Sequence, residues 1–405
     1  MEKSKKKFKL SGVAIFNIIV GILTVGLLVY FIVSDGGIID LFKSKEGVIW
    51  WVLVLGVLTY DLSVVTDAVV TCIFLRSQYP NTRFIDALKV TCVGVFFSAI
   101  TPSNTGGQPM QLFLMSKMKI SVGFGSACMT QKFIVYQFVT MAISIMAIIV
   151  NFDLFSSAFN GFWSTAFVII GFLVQLGLTA ILLVVSFSER LTGKLLNLII
   201  KIMRKLKIKK ADKRIARLTK EFHMFHEANR MLMKEKKRLV IIYALVTLQV
   251  LLILSVPYVV YLSFGLPILT NPVADWFDFI CIQSFVLFTS NLIPLPGASG
   301  GAEAAFALYF GPLFLGRTKP AIVAWRFIVY YGAIIMTAPF SYYTKGHKEH
   351  AKKLEEEVND IIDENQYLED EANKQEQENK ETQSEPKTEP KTEPKTEPQP
   401  EQVNA

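Results

Sequence analysis

Cysteine and histidine are scarce in this chain, and none of them has the spacing of a metal site. Four cysteines and four histidines occur among 405 residues. The cysteines all fall inside apolar segments, so we predict that they fill a core and form no disulfide framework. They are Cys72, Cys92, Cys128 and Cys281. His223 and His226 are three residues apart on a basic segment without a carboxylate or thiol partner at ligand spacing, so we predict no metal.

Nucleotide-binding motifs are absent as well. The sequence contains no P-loop and no glycine-rich dinucleotide fingerprint. We therefore expect no cofactor, and the residue pattern assigns no catalytic residue.

Apolar residues are abundant and clustered. Hydrophobic residues make up 52% of the chain and aromatic residues 12%. Runs of about 20 apolar residues are long enough to span a bilayer, so the chain is predicted to be an all-α polytopic membrane protein with about six full spans. The runs lie near residues 10–33, 48–75, 122–150, 161–187, 239–264 and 321–343. The first is too long for the apolar part of a signal peptide, so we interpret it as an uncleaved span.

Two stretches rich in proline and glycine interrupt the remaining apolar sequence, at residues 101–109 and 294–303. Proline removes a backbone donor and glycine favours unusual dihedral angles, so no continuous helix is expected through either stretch. Inside a membrane, broken backbone is tolerated only where protein buries it or a polar cavity solvates it. Both stretches are therefore predicted to form a site.

The distribution of basic residues orients the chain. Lysines at the N-terminus and the basic segment 189–238 are predicted to be cytoplasmic. Counting crossings between these points requires residues 87–116 and 276–315 each to leave and return to one face. Each arm of 87–116, of about 14 residues or roughly 20 Å, is shorter than the hydrocarbon core, which favours a re-entrant hairpin over two full spans. The same parity argument predicts the second hairpin at 276–315. The hairpins enter from opposite faces, which is typical of an inverted-repeat transporter.

This topology divides the chain into segments. The predicted segments are a cytoplasmic N-terminus at 1–9, a first membrane half at 10–188, the basic segment at 189–238, a second membrane half at 239–344 and a cytoplasmic tail at 345–405. The basic segment is predicted to form helices on an anionic leaflet, with a solvated loop as the alternative. No nucleic-acid partner is expected. The tail is predicted to hold an acidic helix and a disordered repeat of Pro, Lys, Thr and Glu.

Ionisable groups within membrane segments are functional candidates because they are costly to bury there. Glu303 is predicted to stand at the start of a half-helix, where unpaired N–H groups favour a carboxylate. Arg326 lies in the last span and needs an anionic partner, for which Glu303, Asp278 or a substrate phosphate are candidates. Tyr330, one turn further, either donates its hydroxyl to substrate or packs as an aromatic residue.

Further candidates lie in the first half. Asp67 is predicted to pair with Lys89 or Lys132. The first break offers neutral hydrogen-bonding groups and a half-helix N-terminus near Gly107 that suits an anion, although these groups can also satisfy one another. The candidate substrate-binding residues of both breaks are Thr101, Asn104, Gly107, Gln108, Gly297, Gly300, Glu303, Arg326 and Tyr330.

Three motifs together resemble one known family. They are the sequence from Thr101 to Gln108, the sequence from Pro294 to Glu303, and Trp325-Arg326 with Tyr330-Tyr331. The chain resembles, over residues 10–345, the lysylphosphatidylglycerol synthase transmembrane-region family, the flippase-like membrane part of the bacterial multiple peptide resistance factor. The resemblance implies a multi-pass protein of the bacterial cell membrane, with both termini cytoplasmic, that moves aminoacylated phosphatidylglycerol outward and confers resistance to cationic peptides.

The resemblance leaves alternatives open. Bifunctional members carry a soluble domain that transfers lysine from lysyl-tRNA, whereas only about 60 polar residues follow the last span here, too few for such a fold. A lipid translocator is therefore the expected function. A phosphatidylglycerol lysyltransferase, another lipid-linked transferase and a membrane scaffold for a separate synthase are the alternatives, and a homo-oligomer is left open.

Overall fold

The computed structural model describes residues 48–150, 162–205, 211–291, 293 and 295–341. Over these ranges the chain is helical and contains no strand, which confirms the predicted all-α class. Three predicted features lie outside the described residues: the N-terminus at 1–9, the first span at 10–33 and the tail at 345–405.

Twelve α-helices make up the described residues. They are α1 Trp50–Leu75, α2 Phe84–Ile100, α3 Gly107–Lys117, α4 Val122–Val150, α5 Phe162–Phe187, α6 Glu189–Lys205, α7 Ala211–Lys234, α8 Lys236–Ser263, α9 Pro272–Asn291, α10 Gly301–Phe310, α11 Thr318–Arg326 and α12 Ala333–Ser341. Short 3-10 turns at Pro102–Asn104 and Pro296–Ala298 lie in the two breaks, and a π-helical segment, Phe327–Gly332, joins α11 to α12.

Five of the described helical stretches are long and apolar enough to cross a membrane. They are Trp50–Leu75, Val122–Val150, Ile169–Phe187, Lys236–Ser263 and Thr318–Phe340. They coincide with five of the predicted full spans. The last one runs through α11, the π-helical segment and α12.

The helix breaks fall where proline and glycine predicted them. In the first break, α2 ends at Ile100 and α3 begins at Gly107. In the second, α9 ends at Asn291 and α10 begins at Gly301, with Gly297 and Gly300 at φ of 60° and 84°. The two 3-10 turns contact each other, so the breaks meet in space.

The arms beside the second break differ from each other in length, and the first of them begins earlier than predicted. Helix α9 begins at Pro272 rather than near residue 276 and has 20 residues, about 30 Å, whereas α10 has only 10. Asn271 explains the earlier start, because its side-chain oxygen accepts the N–H groups of Val273 at 3.2 Å and Ala274 at 2.9 Å. Asparagine at the cap and proline at the first helical position are both favourable helix starts.

The basic segment forms two helices, α6 and α7, rather than a loop. Helix α7 docks on the start of α4, where Glu221 Oε2 accepts the Gly123 N–H at 2.6 Å and the Ser121 hydroxyl at 2.8 Å. His226 on α7 is within 2.8 Å of the Thr192 hydroxyl on α6. Burial lowers the pKa of this histidine, because the charged form loses hydration there.

The core of the second half is largely aromatic. The fully buried rings belong to Tyr261, Phe279, Phe285, Phe306, Phe310 and Phe314. Phe306 of α10 also lies against Trp325 of α11, with ring centroids 4.9 Å apart. This packing fixes α10, and therefore Glu303, beside the arginine that follows Trp325. The four cysteines are buried, as predicted.

Candidate functional site

A cavity of about 430 Å³ lies where the two breaks meet. Predicted site residues from both halves line it, and they are Asp67, Asn104, Gln108, Lys132, Gly297, Arg326 and Tyr330. A cavity of this size is within the range that holds small ligands or the headgroup of a larger one. The structure therefore brings together residues that are more than 250 positions apart in the chain.

Arg326 holds the second break together. Its Nη1 donates to the carbonyl of Gly297 at 2.8 Å, and Nη2 lies 3.4 Å from the carbonyl of Ala298. The residue is only 4% exposed. Gly297 and Ala298 both have positive φ, 60° and 52°, so the guanidinium binds carbonyls of a strained turn.

Glu303 is the charge partner of Arg326. It stands in the first turn of α10, and its Oε1 lies 2.6 Å from Arg326 Nε. The contact is one of charge rather than of aligned hydrogen bonding, because the Nε donor and Glu303 Oε2 both lack a hydrogen-bond partner among the described residues. The pair is thus close but incompletely satisfied within the described residues.

Tyr330 connects the second break to the first. Its hydroxyl donates to the carbonyl of Ala99, at the end of α2, at 3.0 Å. Its ring lies so close to Gly297 that a Cβ added there would be 2.2 Å from Tyr330 Cε2. The guanidinium carbon of Arg326 is 5.5 Å from the centre of the same ring. Tyr330 therefore positions the break, and its hydroxyl already has a protein acceptor.

The first break is closed by its own residues. The Thr101 hydroxyl donates to the carbonyl of Phe97 at 2.6 Å and accepts the N–H of Gly106 at 2.8 Å. Gly107, the first residue of α3, packs against α2, since an added Cβ would be 2.1 Å from Ser98 Oγ. Thr101 and Gly107 thus have structural contacts, whereas Asn104 and Gln108 face the cavity.

A second ion pair lies beside the cavity. Lys132 Nζ is 2.7 Å from Asp67 Oδ2 and 3.0 Å from the Thr71 hydroxyl. Of the two partners proposed for Asp67, Lys132 is therefore the one that makes this contact. Both residues also line an adjoining cavity of about 200 Å³, together with Gln108 and Gln111.

Some residues predicted from sequence to belong to the site are not among the described residues that line either cavity. These are Thr101, Gly107, Gly300, Glu303, Lys89 and Asp278. Conversely, Tyr60, Gln283 and Ser290 line the larger cavity and were not predicted from sequence. The sequence does mark Gln283 as a candidate, because it is an amide inside an apolar segment. In the structure its Oε1 is buried without a hydrogen-bond partner among the described residues.

Residues 297–301 also fit the Gly-x-Ser-x-Gly pattern of a hydrolase nucleophile elbow, in which a strand precedes the serine. Here the motif begins within the 3-10 turn Pro296–Ala298 and ends at the first residue of α10. The Ser299 hydroxyl donates to the carbonyl of Pro296 at 2.9 Å. The described histidines, His223 and His226, lie on α7 and do not line the cavity. The motif therefore lacks the strand-to-helix context of that elbow.

The arrangement suits binding of an anion better than metal chemistry. Within the described residues, no group of three or more His, Cys, Asp or Glu side chains is placed to hold a metal ion. The cavity instead presents two cations, Arg326 and Lys132, one carboxylate, Asp67, and neutral amides from α3 and α9. A guanidinium and an ammonium are groups that bind phosphate oxygens in proteins.

Comparison with known proteins agrees with the motif resemblance. A family described as Lysylphosphatidylglycerol synthase TM region matches residues 18–336. A protein of Archaeoglobus fulgidus described as a UPF0104 membrane protein is 25% identical over 277 residues, covering 65% of this chain and 78% of the relative. A second UPF0104 membrane protein, from Methanothermobacter thermautotrophicus, is 23% identical over 312 residues, covering 72% of this chain and 83% of the relative.

Proposed function

Because the chain belongs to the family of lysylphosphatidylglycerol synthase TM regions, we propose that it translocates phospholipids whose headgroup carries an anionic phosphate. Aminoacylated phosphatidylglycerol, such as lysyl-phosphatidylglycerol, is the leading substrate. The chain acts as a multi-pass protein of the cell membrane, with both termini in the cytoplasm. Both relatives described above are archaeal, so the proposal is not confined to bacterial membranes.

One observation carries this proposal: the buried guanidinium of Arg326 lines the cavity at the junction of the two breaks. Buried arginine suits phosphate because its planar fork donates two parallel hydrogen bonds and keeps its charge. Asn104 and Gln108 supply neutral groups on the opposite break. A headgroup phosphate bound there would contact both halves.

The proposed topology gives the cavity a role in transport. We propose that α2 with α3, and α9 with α10, are re-entrant hairpins that enter from opposite faces and meet near the bilayer midplane. Discontinuous helices in opposed repeats commonly form the substrate site of transporters. Rocking of one half against the other would expose the cavity to each leaflet in turn.

The test is lipid movement in proteoliposomes that contain the full chain. Fluorescent phosphatidylglycerol is placed in one leaflet, and its arrival in the other is followed by chemical quenching. We expect faster arrival than in empty liposomes, and Arg326→Gln to slow it by about tenfold or more, the loss typical of a charged hydrogen bond. Arg317→Gln is the matched control, because Arg317 also donates to a backbone carbonyl, that of Phe264 at 2.6 Å, and is not a described lining residue.

Two results would contradict the proposal. Movement no faster than in empty liposomes, for phosphatidylglycerol and for its lysyl derivative, would exclude translocation of these lipids. An unchanged rate in Arg326→Gln would remove Arg326 from the mechanism. A cell-level consequence follows from the proposal as well: loss of the protein should reduce outer-leaflet lysyl-phosphatidylglycerol and increase killing by cationic peptides.

A further inference from the structure

The ion pair of Lys132 and Asp67 is placed to take part in headgroup binding. Lys132 lines both cavities, and it lies on α4, in the half of the chain opposite Arg326. Its ammonium has three N–H donors, of which Asp67 Oδ2 and Thr71 Oγ1 accept two, at 2.7 Å and 3.0 Å. The third has no acceptor among the described residues and is available to a ligand in the cavity.

Asp67 is the member of the pair whose burial is energetically less favourable. The residue is 8% exposed, and its Oδ1 is buried without a hydrogen-bond partner among the described residues. A buried carboxylate is tolerable while its cation stays beside it, and it becomes strongly unfavourable when the cation is taken away. Any ligand that competes for Lys132 therefore acts directly on the charge state of Asp67.

The geometry points to a proton-coupled binding step in which a headgroup phosphate replaces Asp67 on Lys132 and Asp67 takes up a proton. This inference rests on the proposed function, because it assumes an anionic headgroup in the cavity. One phosphate oxygen accepts the hydrogen bond that Asp67 Oδ2 gives up, and the ammonium keeps its charge. One proton moves from water to the Asp67 carboxyl. No covalent bond to the lipid forms or breaks.

The titratable neighbours of Asp67 are one carboxyl group, one thiol, phenols and a lysine. On its own helix, Asp61 lies six residues earlier and Tyr60 faces the cavity. Cys92 on α2 is near enough to interact with Asp67, and Lys89 precedes it by one turn. On α4 the neighbour is Tyr136, while α8 contributes the neutral amide of Gln249. Thiol and phenol groups are already protonated near neutral pH, so they take up no proton when the lipid binds.

The test measures the affinity of the full chain in nanodiscs for phosphatidylglycerol, titrated into a zwitterionic lipid background, between about pH 5.5 and pH 8.5. Phosphatidylglycerol has no amine, so its charge stays constant over this range. Uptake of one proton per bound lipid predicts that the dissociation constant rises by about tenfold per pH unit over the range in which the carboxyl is ionised in the free protein and protonated in the complex.

The Asp67→Asn variant separates this role from a structural one. This variant frees Lys132 without burying a charge. At high pH it should bind phosphatidylglycerol at least as tightly as the wild type does at low pH, and its dissociation constant should not change with pH. Asp61→Asn is the matched control on the same helix and should keep the wild-type slope. Lys132→Gln should weaken binding at every pH, and the thermal midpoint of each variant verifies folding.

The outcomes are distinguishable. A slope that persists in Asp67→Asn would overturn the inference, and so would weaker binding in that folded variant. Binding by the wild type without any pH dependence would overturn it and leave the proposed function intact. Failure of the folded wild type to bind either phosphatidylglycerol or its lysyl derivative at any pH would overturn both.

Discussion

The two helix breaks use similar backbone devices but are held in different ways. In the first, the hydroxyl of Thr101 binds the carbonyl of Phe97 and the N–H of Gly106, so the contacts span at most five residues. In the second, the carbonyl of Gly297 is bound by Arg326, which is 29 residues further along the chain. The first break is therefore self-contained, and the second depends on tertiary packing.

This difference has a functional consequence. An anion that enters the cavity cannot easily compete for the contacts of the first break, because they are short and neutral. It can compete for Arg326, whose partners are two backbone carbonyls and the carboxylate of Glu303. We therefore expect the second break to respond to ligand and the first to act as a fixed frame, with the hydroxyl of Tyr330 joining the two at Ala99.

The largest expected effect comes from removing the charge that holds the second break. Arg326→Gln should lower the free energy of unfolding by about 4 kcal/mol, because it leaves Glu303 without its cation and weakens binding to the turn carbonyls. The measurement is unfolding in mixed micelles with increasing sodium dodecyl sulfate. Adding Glu303→Gln should restore part of the loss, since the uncompensated charge is then gone.

Equal free energies of unfolding for Arg326→Gln and for the double variant with Glu303→Gln would contradict this explanation. In that case the carbonyl contacts alone would account for the effect, and the ion pair would contribute little to the fold. A loss below about 1 kcal/mol in Arg326→Gln would show that the second break is held by other contacts.

A smaller effect is expected at the turn itself. Gly297→Ala combines a positive φ of 60° with a Cβ placed 2.2 Å from Tyr330 Cε2. We expect a loss of about 3 kcal/mol from backbone strain and overpacking together. Gly265→Ala is the matched control, since Gly265 has φ of 61° and open space around the added atom. It should cost about 1 kcal/mol from strain alone, and equal losses in the two variants would show that the Tyr330 contact is unimportant.

The smallest effect is expected at the first break. Thr101→Val removes one hydroxyl that takes part in two backbone hydrogen bonds, so the free energy of unfolding should fall by about 1 to 2 kcal/mol. Thr105→Val, at an exposed residue with a single bond to Pro102, should change it by less than about 0.5 kcal/mol. Lipid movement should be unaffected in both variants if the first break is a fixed frame, and loss of movement in folded Thr101→Val would contradict that role.

Local features of the fold were predictable from sequence. Proline and glycine act on the backbone at their own positions, so both breaks lie at the expected residues. Glu303 in the first turn of α10 follows from the same reasoning, since the helix can begin only after the glycines. The start of α9 differs from the expected residue because Asn271 and Pro272, a favourable cap and first helical residue, begin the helix four residues earlier.

Tertiary features were not predictable in the same way. The burial of a charge in the last span indicates that Arg326 needs an acceptor, but it does not show that the backbone carbonyls of Gly297 and Ala298 supply one. The π-helical segment at Phe327–Gly332 changes which residues share a face with Arg326, and no residue type marks such a change. The docking of α7 on α4 through Glu221 also depends on contacts about 100 residues apart.

The most direct test of the central claim is a cryo-electron microscopy structure of the full chain in nanodiscs rich in phosphatidylglycerol. The account predicts ordered headgroup density in the cavity, with a phosphate oxygen about 3 Å from an Arg326 nitrogen, the distance of a charge-assisted hydrogen bond. The same headgroup should contact Asn104 or Gln108 of the first break. Ordered lipid confined to the outer surface of the helices, with Arg326 still bound only to Glu303 and the turn carbonyls, would contradict it.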